Sequence, residues 1–326
     1  MNNEHFMFRV LEMYYTEELS QAEIAKRMQV SRATISRTIY KAKQEGYVTI
    51  QIHYPKDSQC RLEEKLEKRY GLNEVIIAPV SEGEDVRRKV NEEIIQYLLR
   101  VLKNNMTISI TWGKTIGSMI EQLKKDTRLS SLNVKGIQIV PFTGTAMLRN
   151  PERSFQDTHA NIHAIEMAGA LNGAGYQLPV PMYVSSVETK QVLEEDPNIR
   201  SVIEIAEKAD LGMVPIGQLT KEASIVKSGI LPEEEMEALV SQGAAGEILG
   251  NFFDIDGNPI DAAFTEHIIA IKKEQFLKIP NRIGIAYGED RIKATIGALN
   301  SGMINVLFTD SKTAEQLVGE DSNGTE

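Results

Sequence analysis

Cysteine is almost absent from the chain: Cys60 stands alone among 326 residues. One thiol excludes an internal disulfide and fits a reducing compartment. The five histidines offer no metal-ligand spacing among themselves or with Cys60, so no metal site is expected and Cys60 is read as structural. Long apolar runs are also missing. None approaches the ~18 residues of a membrane span and no leader segment is visible, so a cytoplasmic protein without a membrane partner is expected. Neither an internal repeat nor a low-complexity segment is found.

Basic residues are in deficit too, 36 against 46 acidic, for a net charge of −10. The deficit is uneven. Residues 1–56 carry eight basic and six acidic side chains, while the remainder carries 28 and 40. A locally positive module therefore precedes an acidic body, which discourages non-specific adhesion to nucleic acid. The length suits a small module plus a larger one, and 42% hydrophobic residues give ample core.

The positive module is organised around Ser20–Tyr54. Ser20 and Glu23 have the spacing of a capping box, and Ile24, Ala25 and Met28 share one helical face. Gln29-Val30 forms a turn where glycine is common in such motifs, and Ser31 caps a second helix. Ile35, Ile39 and Ala42 pack that helix, Gly46 stops it, and Tyr47–Tyr54 alternates like a strand. Upstream, Phe6, Val10, Leu11, Tyr14 and Tyr15 mark a first helix. The pattern predicts a winged helix-turn-helix. Base identity is read by side chains near the N-terminus of a helix in the major groove. The DNA-facing residues are therefore expected to be Gln21, Ser31, Arg32, Thr34, Ser36, Arg37, Tyr40 and Lys41. A helical hairpin with a merely wet polar face would not need the two caps, the basic face and the wing together.

After a polar joint at Pro55–Gln59, Arg61–Tyr70 reads as a charged helix, either a linker that pairs with its copy or an exposed surface helix. From Asn73 strands and helices alternate: Glu74–Val80, Thr107–Thr111, Gly136–Val140, Asp210–Pro215, Arg282–Ala286 and Ile304–Phe308 as strands, with helices between them. That alternation predicts a parallel α/β sheet. The expected organisation is 1–56 for DNA binding, 57–72 as linker helix, 73–318 as effector-binding and oligomerisation domain, and 319–326 as a disordered tail.

In such sheets ligands sit outside the carboxyl ends of the strands. Three strand ends are candidates. Thr111-Trp112-Gly113-Lys114-Thr115 opens a helix whose amides suit an anion; Pro141–Thr145 sets Thr143 and Thr145 around Gly144; Tyr287–Lys293 brings Arg291 and Lys293 into a helix's first turns. Together they suit a phosphorylated metabolite. Asp254, Asp256 and Asp261 are candidate hydroxyl acceptors, although Asp254–Pro259 also reads as an ordinary Asp/Gly turn.

These motifs resemble those of the SorC family of bacterial sugar-responsive transcriptional regulators, in the branch of the deoxyribonucleoside regulators. The resemblance runs over nearly the whole chain. It is carried by MYYTEELSQAEIAKRMQVSRATISR (Met13–Arg37), SITWGKTI (Ser109–Ile116), IQIVPFTGT (Ile137–Thr145), GEILGNFFDIDGNPI (Gly246–Ile260) and the block from Gly284 to Val318. It implies a C-terminal domain with a fold related to phosphosugar isomerases that acts as a sensor, a phosphorylated sugar or polyol as effector, operator double-stranded DNA as partner, and a homo-oligomer, dimer or tetramer. By resemblance the effector residues are Thr111, Gly113, Lys114, Thr143, Gly144, Thr145, Asp254 and Lys293. Some deoxyribose-phosphate sensors have a Schiff-base lysine where this chain has Thr143, so imine chemistry is excluded at that position. Repression is favoured over activation, and no cofactor is implied. The alternative is a sugar-phosphate isomerase or hydrolase with an appended DNA module. Asp254 and Glu289 are the candidate bases for it, but no paired acid–base set is evident, and no catalytic residue is assigned.

Overall fold

The computed structural model describes residues 3–51, 59–130, 132–146 and 159–319. The chain divides into two compact units, Met1–Lys56 and Asp57–Glu326.

The smaller unit is three helices, α1 (Asn3–Tyr15), α2 (Gln21–Met28) and α3 (Arg32–Gln44). Val10, Leu11, Ile24, Ala25, Ile35, Ile39 and Ala42 are buried together as helical spacing predicts; Met7 and Met13 join them unexpectedly, while Tyr15 is exposed. The capping box forms. The Ser20 amide donates to the Glu23 carboxylate at 2.8 Å and the Glu23 amide to the Ser20 hydroxyl at 3.3 Å. Gln29 takes the left-handed conformation, φ 54°, that ends α2. It does so without glycine, and the Val30 amide closes the turn on the Ala25 carbonyl at 3.0 Å. The expected wing differs in part: Val48–Gln51 belongs to no strand, and Ile52–Tyr54 lies outside the described residues.

The larger unit begins with α4 (Cys60–Tyr70), β1 (Glu74–Ala78), α5 (Val86–Val101), β2 (Thr107–Ile110), α6 (Lys114–Leu123), α7 (Thr127–Ser130) and β3 (Gln138–Pro141). It continues with α8 (Ala160–Ala170), β4 (Ala174–Gly175), α9 (Val187–Glu195), α10 (Pro197–Glu207), β5 (Leu211–Pro215), β6 (Gly217–Gln218), α11 (Ser224–Lys227) and α12 (Glu233–Ser241). It closes with β7 (Gly246–Ile248), β8 (Asn251–Phe253), β9 (Pro259–Ile260), α13 (Lys273–Phe276), β10 (Asn281–Ile285), α14 (Ile292–Asn300), β11 (Val306–Asp310) and α15 (Ser311–Val318). Among the described residues, seven strands form one sheet in the order β1-β11-β10-β5-β2-β3-β4, every pairing parallel. Helices cover both faces, so its central strands are apolar on both sides; all five residues of β11 are buried. A second sheet, β6-β7-β8-β9, is antiparallel. It was not expected, because strands of two or three residues are too short to show a period.

One local expectation changes. The helix read as a linker or a free surface helix, α4, is part of the larger unit's wall: Leu66 is fully buried among Val75, Ile77, Leu307, Ala314 and Leu317. Its Glu67 and Glu63 accept from the outward amides of Val75 and Ile77, each at 3.0 Å. This closes the hydrogen-bonding edge of β1, the terminal strand of the sheet. The expected tail lies outside the described residues beyond Gly319.

Candidate functional site

In the smaller unit α3 presents Arg32, Ser36, Arg37, Tyr40 and Lys41 to solvent on one side, while Ile35 and Ile39 hold the other side to the core. Tyr40 is 65% exposed, a large aromatic with no packing role. Ser31 and Thr34 are engaged in the cap. The Ser31 hydroxyl accepts from the Thr34 amide at 3.1 Å and lies 2.9 Å from the Thr34 hydroxyl, and the Thr34 carbonyl accepts from Thr38. Arg37 folds back onto the Ala33 carbonyl at 3.3 Å, and Lys41 sits 3.5 Å from Glu45. Gln21, the first residue of α2, is half-buried. The geometry is a basic recognition surface backed by a rigid hairpin.

In the larger unit a cleft of about 1000 Å³, including its open mouth, lies at the carboxyl ends of β10, β5 and β2, three neighbouring strands of the sheet. Thr111, Gly113, Lys114 and Thr115 contribute the wall that follows β2. Gly113 stands before α6 with φ 110°, and no side chain caps that helix. The positive end of its dipole therefore suits an anion there. Arg87 from α5 and Arg291 line the same cleft. Arg291 donates to the Ile216 carbonyl at 3.2 Å and its guanidinium lies 5.8 Å from the centre of the Tyr287 ring.

Acceptors line this cleft as well. The Gln218 side-chain oxygen is buried with no hydrogen-bond partner. Glu247 accepts from the Gly250 amide at 3.0 Å; burial pushes its carboxyl above the ordinary carboxylate range, and that bond offsets part of the shift. Both residues sit on the small antiparallel sheet, Gln218 on β6 opposite Gly246 and Glu247 on β7 opposite Gly217. A cleft with a helix N-terminus, basic side chains and one unsatisfied acceptor beside a carboxyl can take an anionic ligand that also carries hydroxyl groups. Among the described residues no group of three or more His, Cys, Asp or Glu side chains could hold a metal.

Of the expected effector residues, Thr111, Gly113 and Lys114 are brought together here. The others do not line this cleft. Thr143 is fully buried, and its hydroxyl has no partner. A side chain on Gly144 would meet the Val180 and Pro181 carbonyls at 2.6 Å, so glycine is needed there for close packing of backbone. Thr145 receives the Asn161 amide at 2.8 Å. Asp254 is occupied by its own turn, one oxygen accepting from the Asn258 amide at 2.8 Å and the other from the Asn258 side chain at 3.0 Å. Lys293 is exposed and does not line the cleft. A 3-10 turn at Glu289–Arg291 precedes α14, and of the two basic residues in this segment it is Arg291 that lines the cleft. Arg87, Gln218 and Glu247 were missed, because each is brought in by tertiary folding from an element with no motif of its own.

A family model described as a sugar-binding domain matches residues 54–319. The chain belongs to this family. A model of sigma-70 region 4 matches residues 8–45, the helix-turn-helix. The deoxyribonucleoside regulator of Bacillus subtilis is 27% identical over 94% of this chain and 95% of its own length. The sorbitol operon regulator of Klebsiella pneumoniae is 25% identical over 95% and 96%. The crystal structure of full-length SorC from Klebsiella pneumoniae superposes with a TM-score of 0.70 at 24% identity, covering 98% of this chain and all of that one. The SorC family resemblance read from the motifs therefore holds over the whole chain, in fold and in domain content. These relatives are transcriptional regulators, and no helix among the described residues is long and apolar enough to cross a membrane.

Proposed function

We propose that the protein is a transcriptional regulator whose α3 reads operator DNA and whose cleft binds a phosphorylated sugar or polyol that alters that reading. Arg32, Arg37 and Lys41 meet DNA phosphate or guanine, and Ser36 and Tyr40 lie beside them on the same face. Gln21, Ser31 and Thr34 serve more through the hairpin's geometry than through base contact. The protein acts as a cytoplasmic homo-oligomer, dimer or tetramer, and represses rather than activates. It is a sensor and not an enzyme.

One observation carries the effector reading: a single cleft combines the uncapped start of α6 with Arg87, Lys114 and Arg291, and adds Glu247 and Gln218 as acceptors. The amides and cations suit a phosphate. The acceptors suit hydroxyls, since a buried acceptor without a partner is costly and a ligand O–H removes that cost. Titration calorimetry against matched pairs of sugars and sugar phosphates tests the reading. A phosphorylated compound should bind and its unphosphorylated partner should not. Equal binding of both would remove the phosphate from the proposal.

A further inference from the structure

The cleft's wall is tied to α4, at the β1 edge of the sheet, by one short helix. Gly288, at φ 93°, turns the chain between Tyr287 and Arg291, both of which line the cleft. From behind, its amide donates to the Asp310 carboxylate at 3.1 Å and to the Thr313 hydroxyl at 2.9 Å. Both acceptors are buried, and both belong to the start of α15. The second oxygen of Asp310 caps that helix, accepting from the Lys312 and Thr313 amides at 3.0 and 3.1 Å. One carboxylate thus holds the cleft loop and the helix N-terminus together.

The other end of α15 is held equally specifically. The last carbonyls of a helix have no partner within it. Here Leu317 accepts from the Tyr70 hydroxyl at 3.2 Å and Val318 from the Arg69 guanidinium. Tyr70 and Arg69 end α4, the first helix of the larger unit after the chain leaves the DNA-reading unit. Between its two ends α15 buries Thr313, Ala314 and Leu317.

We infer that α15 is the strut through which the state of the cleft reaches α4, with Asp310 and Thr313 positioning the cleft loop and Tyr70 and Arg69 receiving the displacement. The inference rests on the proposed function. A ligand anion drawn to Arg291 moves the Tyr287–Arg291 loop, and the Gly288 amide of that loop has both its acceptors at the start of α15. A two-turn helix packed along one side shifts as a body, because close-packed interiors do not deform continuously. Tyr70 and Arg69 do not line the cleft. Changing them should therefore leave ligand binding in the absence of DNA intact and alter only the coupling between ligand and DNA, which is a free energy separate from either affinity.

The test uses the full chain, DNA from upstream of its own coding region, and whichever compound of a panel binds the wild type: glucitol 6-phosphate, glucose 6-phosphate, 2-deoxyribose 5-phosphate and fructose 1,6-bisphosphate. The DNA Kd is measured with and without that compound for wild type, Tyr70→Phe, Thr313→Val and the pair Tyr70→Phe/Arg69→Met. The wild-type ratio should be about fivefold or more, and in Tyr70→Phe and the double variant it should fall toward one, with ligand Kd in the absence of DNA within about twofold of wild type. Hydrogen exchange supplies a second readout: ligand should change protection of α4 amides in the wild type and not in Tyr70→Phe. A responsive wild type with equally responsive variants overturns the strut and leaves the proposed function standing. A wild type whose DNA affinity no compound shifts overturns both.

Discussion

Replacing Glu247 by Gln separates the stability of the cleft from its function. The side chain keeps its shape and its carbonyl oxygen can still accept from the Gly250 amide, now at 3.0 Å. What disappears is an ionisable group in a poorly solvated place, where burial raises the Glu247 pKa. A carboxyl whose pKa is higher folded than unfolded binds protons more readily in the native state, so it subtracts stability as pH rises from the ordinary carboxylate range, about 4.3, through its raised value. Glu247→Gln should therefore be more stable than wild type at neutral pH, and the advantage should vanish as pH falls below about 4. Ligand binding should move the other way. A ligand hydroxyl that loses its acceptor here and stays buried costs about 1–3 kcal/mol, so affinity for the bound sugar phosphate should fall roughly five- to a hundred-fold. Urea denaturation at pH 4 and pH 7, with calorimetry at pH 7, reads both effects. A variant that is no more stable at pH 7, or that binds the ligand as tightly as wild type, refutes the assignment of Glu247 as a desolvated acceptor for ligand hydroxyl.

Other perturbations give equally direct results. Arg37→Ala should weaken operator binding across sequences and lower the salt slope by about one if the contact is to phosphate; unchanged DNA affinity in an anisotropy titration would take Arg37 off the interface. Leu66→Ala empties a fully buried site between α4 and the sheet and should cost about 2–5 kcal/mol, visible as a loss of several degrees in Tm; a shift within error would mean that α4 is not held by this packing. Arg282 donates to the Met303 and Ile279 carbonyls at 2.8 Å and to Leu277 at 3.1 Å, joining the ends of α13 and α14 to β10, and burial lowers its pKa. Arg282→Leu leaves those carbonyls unpaired and should destabilise the larger unit by at least about 1–3 kcal/mol in the same assay, while a neutral effect would show that water replaces the guanidinium.

The readable parts of this chain are those where local chemistry decides the outcome. Ser20, Glu23 and Ser31 satisfy helix N-terminal amides by themselves, so the helix-turn-helix and its turn at Gln29-Val30 were legible, though not the left-handed conformation of Gln29. The six long strands were legible because a parallel sheet covered on both faces demands continuous apolar runs. The Thr111–Thr115 corner was legible for a similar reason: a strand, a glycine and a helix in succession leave little choice about where the first amides point. Tertiary choices were not. Gln218 and Glu247 enter the cleft from strands of two and three residues, whose pairing is set by distant parts of the chain. Asp254 had two sound readings, and the turn with Asn258 is the one the fold adopts. Arg291, in the 3-10 turn that precedes α14, lines the cleft where Lys293 was expected. The burial of α4 was hidden by its charge: Glu63 and Glu67 look like solvent-facing residues until their carboxylates are seen closing the edge of β1.

The central claim is that one chain reads DNA with α3 and changes that reading when its cleft is filled. The most direct measurement is fluorescence anisotropy of the full-length protein on DNA from upstream of its own gene, at fixed salt, with and without each compound of the sugar-phosphate panel and its unphosphorylated counterpart. The account predicts a DNA affinity that falls when one phosphorylated compound is added and that stays constant with its unphosphorylated form. Tight DNA binding that no compound alters, or no DNA binding at all, would contradict it.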